Sequence, residues 1–123
     1  FRNGWKRNRS FYCKINHKYS LYIDGGIINQ NGELIDDSNM SALTKITLVA
    51  NRIGSESMTG KFILAFYDDE ERLLKTFSAN KELPETENVI DLDVENVTDA
   101  AKIKIFVWEP LKMVPLCESI ICE

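Results

Sequence analysis

Histidine is almost missing from this sequence: His17 stands alone among 123 residues. One imidazole excludes any metal site built on two histidines and leaves no evident Ser–His or Cys–His dyad. The neighbouring Lys14 and Lys18 disfavour its protonated form. Cysteine is scarce too, with Cys13, Cys117 and Cys122, so at most one internal pair forms and one thiol remains. With residues 119–121 extended, Cys117 and Cys122 lie too far apart for the roughly 4.4–6.8 Å Cα separation of a disulfide. A bridge would have to run from Cys13 to Cys117 or Cys122. A core of this size has little need of one, and three buried thiols are expected. There is no Cys-x-x-Cys, no phosphate-cradling glycine loop and no His-Glu-x-x-His. No apolar run approaches the roughly 18 residues that cross a bilayer, and no secretory leader is present. The chain begins at Phe1, as expected of a piece of a larger polypeptide or a processed product, from which a leader could have been lost, so its absence says little about localisation. Net charge is −4, from 15 basic and 19 acidic side chains, which gives no attraction to polyanions and argues against nucleic acid as a partner.

What is present is apolar, alternating and punctuated. Hydrophobic residues make up 44% of the chain, enough for one core and not two. Residues 1–123 therefore read as a single module, with residues 1–10 as a terminal arm. That arm carries Arg2, Lys6, Arg7 and Arg9 among Phe1 and Trp5. Such interleaving suits a phosphate backbone or a membrane surface, and a solvated arm is the plainer reading.

Residues 45–51 alternate as a half-buried strand, with Ile46, Leu48 and Ala50 on one side. Residues 61–68 are apolar on both faces, the pattern of a central strand covered on each side. Residues 73–79 and 88–94 follow, separated by the acidic turn 68–72 and by Pro84. Residues 52–60, with two glycines, read as a connection. Upstream, residues 11–15, 19–24 and 33–35 look like strands, Gly25-Gly26 like a turn or bulge, and residues 29–32 like a turn. The one candidate for a short helical turn is residues 96–102. Residues 101–108 alternate until Phe106 and Trp108 make the second face apolar too, implying a strand that ends under a cover. Pro110 and Pro115 forbid regular pairing over residues 109–116, and residues 118–121 form a last short strand. About seven or eight strands joined by short turns predict an all-β, antiparallel, immunoglobulin-like β-sandwich.

The stretch Phe-Val-Trp-Glu-Pro-Leu-Lys-Met-Val-Pro-Leu at 106–116 resembles the Phe-x-Trp-Asp-x-Leu…Met-x-Pro-Leu ending of accessory β-sandwich modules in large secreted and surface proteins of clostridia and related Gram-positive bacteria. Ala-Phe-Tyr-Asp at 65–68, followed by Leu73, is similar to the hairpin of the same family. The resemblance covers roughly the last 80 residues. This chain is one residue shorter between Trp108 and Pro115, and Glu71 stands where the hairpin has Gly, a strained place for a side chain if the turn needs positive φ. What the resemblance implies is an extracellular or cell-surface, non-catalytic module, with other domains of its parent polypeptide as partners.

Carboxylates are the abundant catalytic type. Asp68, Asp69, Glu70 and Glu71 crowd one turn, but an exposed turn keeps its carboxylates solvated and untuned, unlike the pair a glycosidase needs. Asp36, Asp37 and Asn39 form a weak candidate calcium loop, without the spacing of a known one. For a polysaccharide partner, exposed rings are required. Trp5, Tyr12, Tyr19 and Tyr22 are the candidates, with Tyr19 and Tyr22 on opposite faces of a strand so that only one is outside. Trp108 and Tyr67 belong to core-like runs and are expected to pack inside. The expected role is a structural spacer, and the alternative is a carbohydrate- or cell-surface-binding module that uses exposed aromatics.

Overall fold

The structure, a computed structural model, describes residues 19–123. The arm at 1–10, the strand expected at 11–15, and Trp5, Tyr12, Cys13 and His17 lie outside the described residues. Seven antiparallel strands are described: β1 (Leu21–Ile28), β2 (Lys45–Arg52), β3 (Met58–Tyr67), β4 (Leu73–Leu83), β5 (Glu87–Asp93), β6 (Lys102–Trp108) and β7 (Ile120–Cys122). They form two sheets, ordered β1-β2-β5 and β4-β3-β6-β7. The constant-type immunoglobulin arrangement is 1-2-5-4 and 3-6-7, so here the fourth strand pairs in the other sheet.

Period-two alternation produces the layers. In β2, Ile46, Leu48 and Ala50 are buried, and in β5 Ile90 and Leu92 face the same way. In the second sheet Phe62, Leu64 and Phe66 of β3 meet Ile103, Ile105 and Val107 of β6. These side chains join Leu21, Met40, Leu83 and Leu116 in one core cluster. Each fully buried side chain of this size stabilises the fold by about 1.5–3 kcal/mol, before the entropy of ordering it is set against that.

The turns follow the polar punctuation. Asn29 is buried and its Oδ1 accepts from the amides of Asn31 and Glu33. Gly32 at φ 79° closes that turn. The paired glycines give a bulge: β1 carries extra residues between Asp24 and Ile28, with Gly25 at φ 72°. Residues 33–35 contribute only an isolated bridge, Ile28 to Leu34, instead of a strand. Residues 96–102 hold no helix. Asn96 has φ 58° and Ala100 N donates to Val97 O, a single turn before β6. The short 3-10 helix is Met40–Ala42, which buries Met40 under the sheet. Among the described residues no helix is long and apolar enough to cross a membrane.

Residues 109–116 loop as the prolines demand. Glu109 N donates to Val114 O and Met113 N to Glu109 O, with Met113 at φ 57°. Leu116 N then returns to Val107 O, and β7 adds to β6.

Candidate functional site

Strand parity decides which rings are available. Because Ile103, Ile105 and Val107 point into the core, Lys102, Lys104, Phe106 and Trp108 must point away from it. The same holds on β3, where Phe62, Leu64 and Phe66 go in and Lys61, Ile63, Ala65 and Tyr67 go out. Trp108 and Tyr67 are therefore not core side chains, as their apolar surroundings suggested. They are half-buried on the outer face of the four-stranded sheet. Of the cover expected over both faces of β3, the described residues supply the inner one, where the second sheet packs.

Register arranges this outer face in rows. Asn80, Lys61 and Trp108 lie side by side across β4, β3 and β6, followed by Ser78, Ile63 and Phe106, then Thr76, Ala65, Lys104 and the exposed Ile121. Tyr67 and Lys102 form the last row. Six residues of strand separate the first and last rows, about 20 Å. Phe106 and Trp108 sit edge to face, with centroids 6.3 Å apart and planes at 64°. The Lys104 ammonium lies 5.1 Å from the centroid of Tyr67 and occupies that ring's face. Beyond Trp108 the surface dips into a shallow depression whose polar members include Thr59, Asn80 and Glu109, with Pro110 and Leu111 at its lip. The arrangement offers the Phe106 and Trp108 rings, the Lys61, Lys102 and Lys104 ammonium groups, and amide and hydroxyl donors on one sheet face.

The acidic turn is built differently from expectation. Asp68 is buried, not solvated. Its Oδ1 accepts from the amides of Glu70 and Arg72 at 2.9 Å each, and its Oδ2 accepts from Arg72 Nε at 2.8 Å. The Arg72 amide, with the guanidinium and the Glu70 amide, holds this carboxyl below the usual range, so it remains an ionised acceptor. Glu71 has φ 62°, so the turn does require the left-handed region that glycine favours. Its carboxylate takes a hydrogen bond from Lys102 at 2.9 Å, which lowers its pKa.

The 36–39 loop spends its oxygens on itself. Asp36 Oδ1 accepts from Ser38 N and Ser38 Oγ, and Asn39 Oδ1 accepts from Asp36 N. The Ser38 hydroxyl is the main reason the Asp36 pKa lies low. Asp37 is exposed. Among the described residues no group of three or more His, Cys, Asp or Glu could hold a metal. Of the ring candidates, Tyr22 is 38% exposed on the outer face of the three-stranded sheet and Tyr19 is half-buried just before β1. Tyr22, on the other sheet, does not join the Trp108 face. Cys117 is buried and Cys122 half-buried, both as free thiols, and burial pushes each up to about 12.

Phe106 and Ile63 were not singled out from the sequence as surface residues, although their parity opposite Ile105 and Leu64 was the available signal. Comparison with protein-family models, with curated proteins and with solved structures returns no match. What the coordinates define is a class: an all-β chain of two packed antiparallel sheets.

Proposed function

We propose that this chain is a non-catalytic accessory module of a larger extracellular bacterial protein, and that it binds carbohydrate on the outer face of the β4-β3-β6-β7 sheet. The observation that carries the reading is the outward parity of Phe106 and Trp108 beside Lys61, Asn80 and Ser78. Apolar surface rimmed by polar side chains is where soluble domains bind partners, and ring faces next to amides and hydroxyls suit sugar rings. The carboxylates support a role without catalysis, because Asp36 and Asp68 serve their own turns.

The spacer reading has one observation in its favour. The two rings are half-buried and not coplanar, which limits the area either can offer. Titration with a panel of cell-wall and plant polysaccharides separates the two. In a Trp5→Phe background Trp108 is the sole indole, and its emission should change with at least one glycan. Emission that stays constant across the whole panel leaves the spacer role standing and removes the binding one.

A further inference from the structure

Arg52, the last residue of β2, is 8% exposed, and its Nε is buried without a hydrogen-bond partner. The ion pairs among the described residues join Arg72 to Asp68 and Glu70, and Lys102 to Glu71, and none reaches Arg52. Residues 1–18 contain no Asp or Glu, so the preceding segment has no side-chain carboxylate to give. A guanidinium cannot escape burial by losing its proton. Enclosing it unpaired is among the more expensive things a small domain can do.

The backbone around Arg52 is fixed. Its own amide donates to Thr86 O at 2.9 Å, Leu21 sits opposite it in the ladder, and Ile53 N donates to Ser20 O. The side chain is thus delivered to one place, at the end of the sandwich where β1 begins and β2 ends. Its two Nη atoms, unlike Nε, are not enclosed orphans. No hydrogen bond or ion pair among the described residues reaches this planar fork of donors, and its chemical match is a carboxylate or phosphate, which accepts two parallel N–H bonds. We propose that Arg52 anchors an oxyanion site at this end of the sandwich and pairs with a carboxylate or phosphate group from outside the chain.

The test is thermal unfolding of the full chain in sodium chloride, and then with inorganic phosphate or acetate at matched ionic strength. Phosphate stabilises most proteins by exclusion from their surfaces, so the reading is the difference between the native chain and Arg52→Met. The native midpoint should rise by several degrees more than that of Arg52→Met, and Arg52→Lys should keep a part of the effect. In chloride alone Arg52→Met should melt at or above the native chain, since a buried unpaired charge has been removed. A response to acetate assigns a carboxylate ligand, and a response to phosphate alone assigns a phosphate ligand. Equal responses in native chain and Arg52→Met, or none in either, overturn the site. The Arg52 Nε–Hε resonance provides a check that needs no variant. It should move saturably during either titration, and a stationary resonance overturns the proposal.

Discussion

Gly60 is a point where the core leaves little room, and adding one methyl there gives a test of the packing. It lies on the inner face of β3, buried, with a backbone that any residue can adopt. A Cβ at this position would stand 3.0 Å from Val107 Cγ1, 3.2 Å from Phe62 Cε1 and 3.5 Å from Leu83 Cδ1. Favourable carbon contacts begin near ~3.5 Å, so two of the three neighbours must give way. All three are fully buried and cannot swing into solvent. Overpacking of this kind costs about 1–3 kcal/mol, and replacing glycine recovers about 0.4–1 kcal/mol through the unfolded chain. Gly60→Ala should therefore destabilise by about 1 kcal/mol.

Val107→Ala removes the methyl that crowds this position and should itself cost about 2–3 kcal/mol in transfer and cavity terms. In the double variant the new methyl enters the space Val107 vacates, so the pair should cost about 1 kcal/mol less than the sum of its parts. Urea unfolding followed by circular dichroism reads all four corners of the cycle, with slopes that stay equal if the states are comparable. Additivity within about 0.5 kcal/mol, the behaviour of independent sites, would refute the packing argument. So would a Gly60→Ala variant as stable as the native chain.

Ile105→Ala should cost about 2–5 kcal/mol and leave a cavity, whereas Trp108→Ala on the outer face should cost less because no cavity closes over it; chemical denaturation of the two compares them directly. Burial holds the folded Cys117 at about 12, against 9.0 for an unhindered thiol, so the unfolded chain loses its proton first. The thiol's contribution to stability is full below pH 9 and should fall between pH 9 and about 12, and Cys117→Ala should flatten that limb of a stability–pH curve. Asp68 has a lowered folded pKa, so its contribution is present above the ordinary 3.8 and lost as pH falls through the folded value. Acid unfolding of Asp68→Asn should accordingly be less steep than that of the native chain. Glu71→Gly relieves the left-handed backbone at the price of an exposed ion pair. Its melting point should match or exceed the native one, and a clear drop would show that the Lys102 contact matters more than the strain.

The strands were legible because burial on one face writes a period of two into the sequence. Residues 45–51, 73–79, 88–94 and 101–108 were found within a few residues of β2, β4, β5 and β6. Positions set by long-range pairing were not legible. Met40–Ala42 forms its single turn because Met40 reaches the core, a fact with no local signature, while residues 33–35 look like a strand but gain only one bridge. Apolar character also misled where it was taken for depth. Phe106 and Trp108 alternate with Ile105 and Val107, and a strand cannot send both sets to one side. The parity rule outranks hydrophobicity in this strand.

Arg52 makes the same point from the other direction. It was assigned to a connection because Gly54 and the serines follow it, yet the series Ile46, Leu48, Ala50 continues by twos onto position 52 and so into the interior. Reading the parity one step further would have placed a charge inside. The structure then separates two uses of polar groups in this chain. Asp36, Asp68 and Asn29 have their oxygens occupied by their own turns, and what they do ends there. Arg52 has a buried donor with nothing to donate to. The Asn51 amide beside it also has a buried unpartnered nitrogen, but only the guanidinium carries a charge that must be compensated, and that mismatch is what the proposed oxyanion site rests on.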